Sequence, residues 1–145
     1  MFPAWSCVVR SAQCHALMPM MQFSVAPWRI LDEKHLEACK KAVEIRKEYT
    51  NLILDLAEES AKTGEPIVRA MEYVFPHQGY ERVNDQFLLG NKILITPLLS
   101  KGSTSRKVFI PEGYWKNLSG KTIKGPTMIE IQVPLHMLPV FVKMN

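Results

Sequence analysis

Four carboxylates in one stretch, Glu65, Glu72, Glu81 and Asp85, are the residues best suited by type to acid–base chemistry. Hydrolytic sites divide such groups into two roles, one carboxylate attacking and one moving a proton, about 5–5.5 Å apart in the retaining arrangement. Spacing along the chain fixes no such distance. Asp85, beside Gln86 and Phe87, is expected to hydrogen-bond within a turn instead. Ser119-Gly120-Lys121-Thr122 has the tail of a phosphate-binding loop, but that loop needs a glycine where Trp115 stands. The residues that follow, Ile123-Lys124-Gly125-Pro126, cannot open a helix, so a hairpin turn is expected there. The sequence has no G-x-S-x-G elbow to present a nucleophilic serine. Asn117-Leu118-Ser119 fits the acceptor pattern for N-linked glycosylation. Cys7, Cys14 and Cys39 form no CxxC pair, and His15, His35, His77 and His136 lie far apart. Neither a metal nor a cofactor is therefore expected, and the cysteines are read as small hydrophobes near a core.

The elements that must hold these groups change character near residue 65. From Asp32 to Lys62, Leu36, Cys39, Val43, Tyr49, Ile53, Leu56 and Ala57 recur at close to 3.6 residues, opposite a face of Glu and Lys. Asp32 is placed to cap the helix, and Gly64 with Pro66 to stop it. A break near Thr50-Asn51 is compatible with the pattern. Upstream, residues 9–17 predict a helix ending before Pro19, and residues 20–24 a short buried strand. Downstream, residues 67–75, 93–99, 106–110, 127–133 and 139–143 read as strands. Turn residues divide them, among them Gly90-Asn91, Pro111-Glu112-Gly113 and Ser119-Gly120. Helix, strand and long helix belong to a parallel α/β arrangement, and the short strands after it to an antiparallel sandwich.

The bulk composition excludes some classes. With 145 residues and 47% hydrophobic content, the chain can bury a core. Its formal charge is +4, but basic and acidic residues are interleaved and make no stripe that could follow a phosphate backbone. Nucleic acid is not an expected partner. No charged residue precedes the apolar run of residues 2–9, and Arg10 interrupts it. Neither an export signal nor a membrane span is expected from this segment.

Three segments together resemble family 31 of the glycoside hydrolases. Gly64-Glu65-Pro66-Ile67-Val68-Arg69-Ala70-Met71 is similar to its G-x-P-[IV]-x-R-P-[ML] strand, with Ala70 where proline is usual. Asp85-Gln86-Phe87-Leu88-Leu89-Gly90, with Ile93-Leu94-Ile95-Thr96-Pro97-Leu98, resembles the D-Q-F-[ML]-L-G signature and the strand after it. Arg106-Lys107-Val108-Phe109-Ile110-Pro111-Glu112-Gly113-Tyr114-Trp115 resembles R-x-V-[YF]-[LI]-P-x-G-x-W. Within the family, Met21-Gln22-Phe23-Ser24-Val25-Ala26-Pro27-Trp28 is most similar to the branch of myogenesis-regulating glycosidases.

The resemblance implies a fold of class α/β plus all-β. Residues 1–72 would be the last helix-strand-helix unit of a (β/α)8 barrel, and residues 73–145 a proximal C-terminal antiparallel β-sandwich. It implies retaining hydrolysis of α-linked sugars, with an aspartate nucleophile and an aspartate acid/base on earlier barrel strands that this sequence does not contain. No residue of this chain is assigned a catalytic role. Barrel sites gather at the C-terminal ends of strands, so Gln22 and Ser24 are the expected substrate-binding residues. Many glucosidases of the family carry Arg and His there, which leaves a galactose-type or other hexose open. Trp28, Tyr73, Phe75, Tyr80 and Trp115 are either core residues or platforms for a sugar ring. The alternative reading is a non-catalytic β-sandwich that binds carbohydrate or protein.

Overall fold

The computed structural model describes residues 5–145, so the start of the apolar run at residues 2–9 lies outside the described residues. Helix α1 (Trp5–Ala16) buries Val9, Ala12, Gln13 and Ala16, a stripe with helical spacing. Helix α2 (Glu33–Glu48) begins at Asp32, whose side chain accepts from the His35 backbone N–H. Helix α3 (Thr50–Thr63) ends at Gly64, which adopts a left-handed φ of 79° and donates its N–H to Ser60 O. The expected single helix is broken at Tyr49 (φ −98°, ψ 5°). There the Thr50 hydroxyl donates to Arg46 O at 2.9 Å, a side-chain bond that competes with the backbone ladder and bends helices.

Six strands follow: β1 (Val68–Ala70), β2 (Phe87–Leu89), β3 (Ile93–Ile95), β4 (Ser105–Asn117), β5 (Thr122–Gln132) and β6 (Val140–Lys143), with a one-turn helix α4 (Met71–Val74) after β1. They form one sheet in the order β1-β2-β3-β6-β4-β5, and every pairing is antiparallel. Alternation sorts its residues. Leu88, Leu94 and Phe141 are register partners and join a core with Met71, Phe75, Val108, Ile110 and Trp115. Leu89, Ile93, Ile95 and Val140 belong to a second core with the helix residues Val9, Ala16, Cys39, Ile53 and Leu56. The short strands β2 and β3 are thus covered on both faces, by helices on one side and by the β4–β5 ribbon on the other. This is why β3 has no polar residue. The register of β4 against β5 shifts between Ile110 and Gly113, and the far end of β4 pairs with β6. That bulge lets one strand serve both layers of a sandwich-type domain.

Three expectations are corrected. Residues 20–24 form no strand, because no neighbouring strand among the described residues supplies the hydrogen bonds. The run 67–75 is a strand only to Ala70, after which the chain turns into α4. Pro111-Glu112-Gly113 lies inside β4 at the bulge and makes no turn. The Ser119-Gly120 segment does form the β4–β5 hairpin, with Gly120 at φ 84°. No helix among the described residues is long and apolar enough to cross a membrane.

Candidate functional site

The segment that would present Gln22 and Ser24 is held by arginine. Arg46, on α2, donates through Nη1 to Ala16 O (3.0 Å) and Met18 O (2.7 Å), and through Nη2 to Pro19 O (2.9 Å). Ala16 O is an acceptor left free at the C-terminal end of α1, and Met18 and Pro19 belong to the chain that leaves it, so one side chain caps that helix and fixes the exit. Beyond Pro19 the chain runs without regular structure. Met21 and Phe23 pack against the helix-side core, while Gln22 and Ser24 are exposed. The period-two alternation of a strand survives without a partner strand. Pro27 then opens a single 3-10 turn (Pro27–Arg29) that leads towards α2.

Gln22 and Ser24 line a hollow of about 390 Å³ together with Cys7, Ser11 and His15 of α1 and with Ile30. A neighbouring apolar groove of about 470 Å³ runs between Phe23, Trp28, Leu36 and Val43. Trp28 is 73% exposed at its edge. Trp28 and Tyr73 keep a free face, whereas Phe75, Tyr80 and Trp115 are buried in the sandwich core.

Three of the four carboxylates are bound within the fold. Asp85 faces the buried Arg106 guanidinium, with Oδ2 at 2.9 Å from Nη2. Glu65 accepts from the Tyr73 hydroxyl at 2.8 Å, which pushes the Tyr73 pKa up, and lies 3.8 Å from Arg69. Glu72 accepts from the His77 N–H at 2.8 Å. Glu81 is exposed. No group of three His, Cys, Asp or Glu among the described residues is arranged to hold a metal ion.

The signature segments turn out to be fasteners. Gln86 and Phe109 exchange two hydrogen bonds, Nε2 to Phe109 O (2.7 Å) and Phe109 N to Oε1 (3.0 Å), as a backbone pair would. Arg106 also donates to Asp85 O (2.8 Å) and Pro97 O. Trp115 Nε1 donates to Pro111 O at 2.9 Å. Arg69 ties β1 to the β2–β3 turn through Asn91 Oδ1 and to α3 through Glu59. Sequence reasoning missed the roles of Arg46 and of Arg10, which donates to Val133 O at 2.8 Å. Arg10 could have been noticed as the lone arginine of α1, whereas Arg46 stands among the other charged residues of α2 and carries no such signal.

The sequence model of the glycosyl hydrolase family 31 C-terminal domain matches residues 64–145. The chain belongs to glycosyl hydrolase family 31. The myogenesis-regulating glycosidase of Mus musculus is 35% identical over 130 residues, covering 89% of this chain and 18% of that protein. Alpha-glucosidase 2 of Bacillus thermoamyloliquefaciens is 29% identical over 119 residues, covering 81% of this chain and 15% of that enzyme. Among solved structures, the family 31 dextranase of Flavobacterium johnsoniae complexed with isomaltotriose superposes with a TM-score of 0.84 at 28% identity. That match covers 97% of this chain and 18% of the dextranase. The chain therefore spans less than a fifth of the length of these family 31 relatives. Its β-sheet is the sandwich-type C-terminal domain of the family, and the three signature segments are the parts that fasten it.

Proposed function

We propose that this chain is the C-terminal part of a retaining α-glycosidase, carrying part of the sugar recognition and neither catalytic carboxylate. Residues up to the end of α3 would close a (β/α)8 barrel, and the sheet would be the sandwich that braces it. Retaining hydrolysis needs a nucleophile and an acid/base in one pocket. The bonding of Asp85, Glu65 and Glu72 argues against either role for them. On this reading the chain alone hydrolyses nothing.

The observation that carries the reading is the outward pair Gln22 and Ser24, on a segment clamped by Arg46 and leading to Trp28. Amide and hydroxyl groups one strand-period apart suit the donor and acceptor pattern of a hexose, and neither brings charge. A galactose-type or other hexose is the substrate class we infer, with α-linked carbohydrate as the partner.

The test is a chimera in which the preceding barrel comes from the mouse relative and the C-terminal part is this chain. Gln22→Ala and Ser24→Ala are expected to raise KM for a nitrophenyl α-hexoside about tenfold each, or about 1.4 kcal/mol. If both variants keep the parent kcat/KM on α-glucoside and α-galactoside alike, these residues do not contact the sugar.

A further inference from the structure

Asn117-Leu118-Ser119, the single Asn-x-Ser/Thr triplet in the 145 residues, sits where β4 turns into β5. Two backbone bonds close the turn, Asn117 N to Lys121 O at 3.0 Å and Gly120 N to Asn117 O at 2.9 Å. Leu118 at its tip is 58% exposed, and residues 118–121 are all exposed. An apolar side chain this open, on a turn outside both core clusters, has no packing role.

The side chain of Asn117 is already arranged as an acceptor. Its Oδ1 takes the Ser119 hydroxyl at 2.9 Å and the Lys121 N–H at 2.8 Å. Both bonds end on the carbonyl oxygen, and among the described residues none uses Nδ2. Donation to Oδ1 polarises the carboxamide of Asn117, a half-exposed residue at the end of β4, and leaves its nitrogen uncommitted. We propose that Asn117 is an acceptor for an N-linked oligosaccharide.

The donor would be a lipid-linked oligosaccharide pyrophosphate. Nδ2 attacks the anomeric carbon, a C–N bond forms, and the bond from that carbon to the pyrophosphate oxygen breaks. The lipid pyrophosphate leaves with the electron pair and the amide loses one proton, with no change of oxidation state. The product keeps Oδ1 as a carbonyl oxygen, so both bonds that shape the turn survive the modification. A bulky, solvated group on an exposed hairpin also covers Leu118 without entering a core.

The experiment translates the full chain behind a cleavable signal peptide in the presence of microsomes. A second acceptor triplet on a flexible C-terminal tail reports entry into the lumen. The chain is expected to gain two oligosaccharides, Asn117→Gln and Ser119→Ala to gain one, and Ser119→Thr to gain two. All bands should collapse to one on treatment with a peptide N-glycosidase. A chain that carries the tail oligosaccharide and no other overturns the proposal, and so does an Asn117→Gln chain that still gains two.

Discussion

Arg106 Nη2 lies 2.9 Å from Asp85 Oδ2, in a geometry that makes them an ion pair rather than a directed hydrogen bond, and Nη1 of the same guanidinium reaches two backbone carbonyls. The pair joins two of the family's signature segments, the one ending at Gly90 and the one opening β4. The guanidinium is buried and the carboxylate half exposed, so the two partners should not cost the same to remove. Arg106→Met is expected to lower the unfolding free energy by about 3 kcal/mol, because buried carbonyls lose their donor. Asp85→Ala is expected to cost about 1 kcal/mol, as a solvent-screened partner does. Denaturant titration of both variants checks this, and equal losses would contradict it.

Gly125 sits against Pro111 across the β4–β5 ribbon. A Cβ added there would stand 1.8 Å from Pro111 O, so the strand pair would have to part. Gly125→Ala is expected to destabilise by about 4 kcal/mol or more, in the range reserved for steric failure in a core. Gly64 has the same residue type for another reason: its φ is 79°, and nothing lies within 4 Å of the place a methyl would take. Gly64→Ala should therefore cost only the left-handed backbone, about 1–2 kcal/mol. Thermal melts of the two variants separate the two causes.

Acid should loosen the start of α2. The His35 backbone N–H, and then the His35 side chain, hold the Asp32 carboxyl below the ordinary carboxylate range. A group favoured in its charged form contributes stability above its unfolded pKa and loses it as pH falls through the lower folded value. The His35 amide is expected to be protected near neutral pH and to lose protection on acidification below that range. Asp32→Asn keeps an acceptor and should remove this acid step in amide exchange.

The cysteines should react in order of exposure. Burial pushes the Cys14 and Cys39 thiols up, which leaves less thiolate at neutral pH. Cys7 is exposed on the solvent side of α1. Iodoacetamide is expected to modify Cys7 first, and Cys39 only with unfolding. Early loss of the Cys39 thiol in native buffer would mean that α1 and α2 are not packed as described.

What was legible in the sequence was what local chemistry decides. The Asp32 cap, the Gly64 stop and the Ser119-Gly120 hairpin depend on residues within a few positions, and each stands where the sequence places it. Residues 20–24 read as a short buried strand, but they find no partner strand among the described residues, and Met20, Gln22 and Ser24 are exposed. What was not legible depends on distant residues. β2 is three residues between Gln86 and Gly90, too short to show a period, and exists because β1 and β3 flank it. Pro111-Glu112-Gly113 carries turn chemistry, but β5 pairs with β4 on both sides of the bulge, at Ile110 and at Gly113, and carries the strand through. Arg46 reads as one more charged helix residue, because the carbonyls that define its role lie 27 to 30 residues upstream.

The central claim is that recognition and catalysis are divided, with Gln22 and Ser24 here and both carboxylates elsewhere. The most direct test incubates the purified chain with nitrophenyl α-glucoside and α-galactoside and measures nitrophenol release. The account predicts release no faster than in buffer. Turnover that is abolished by substituting a single residue of this chain, Glu72 or Glu81 for instance, would contradict it.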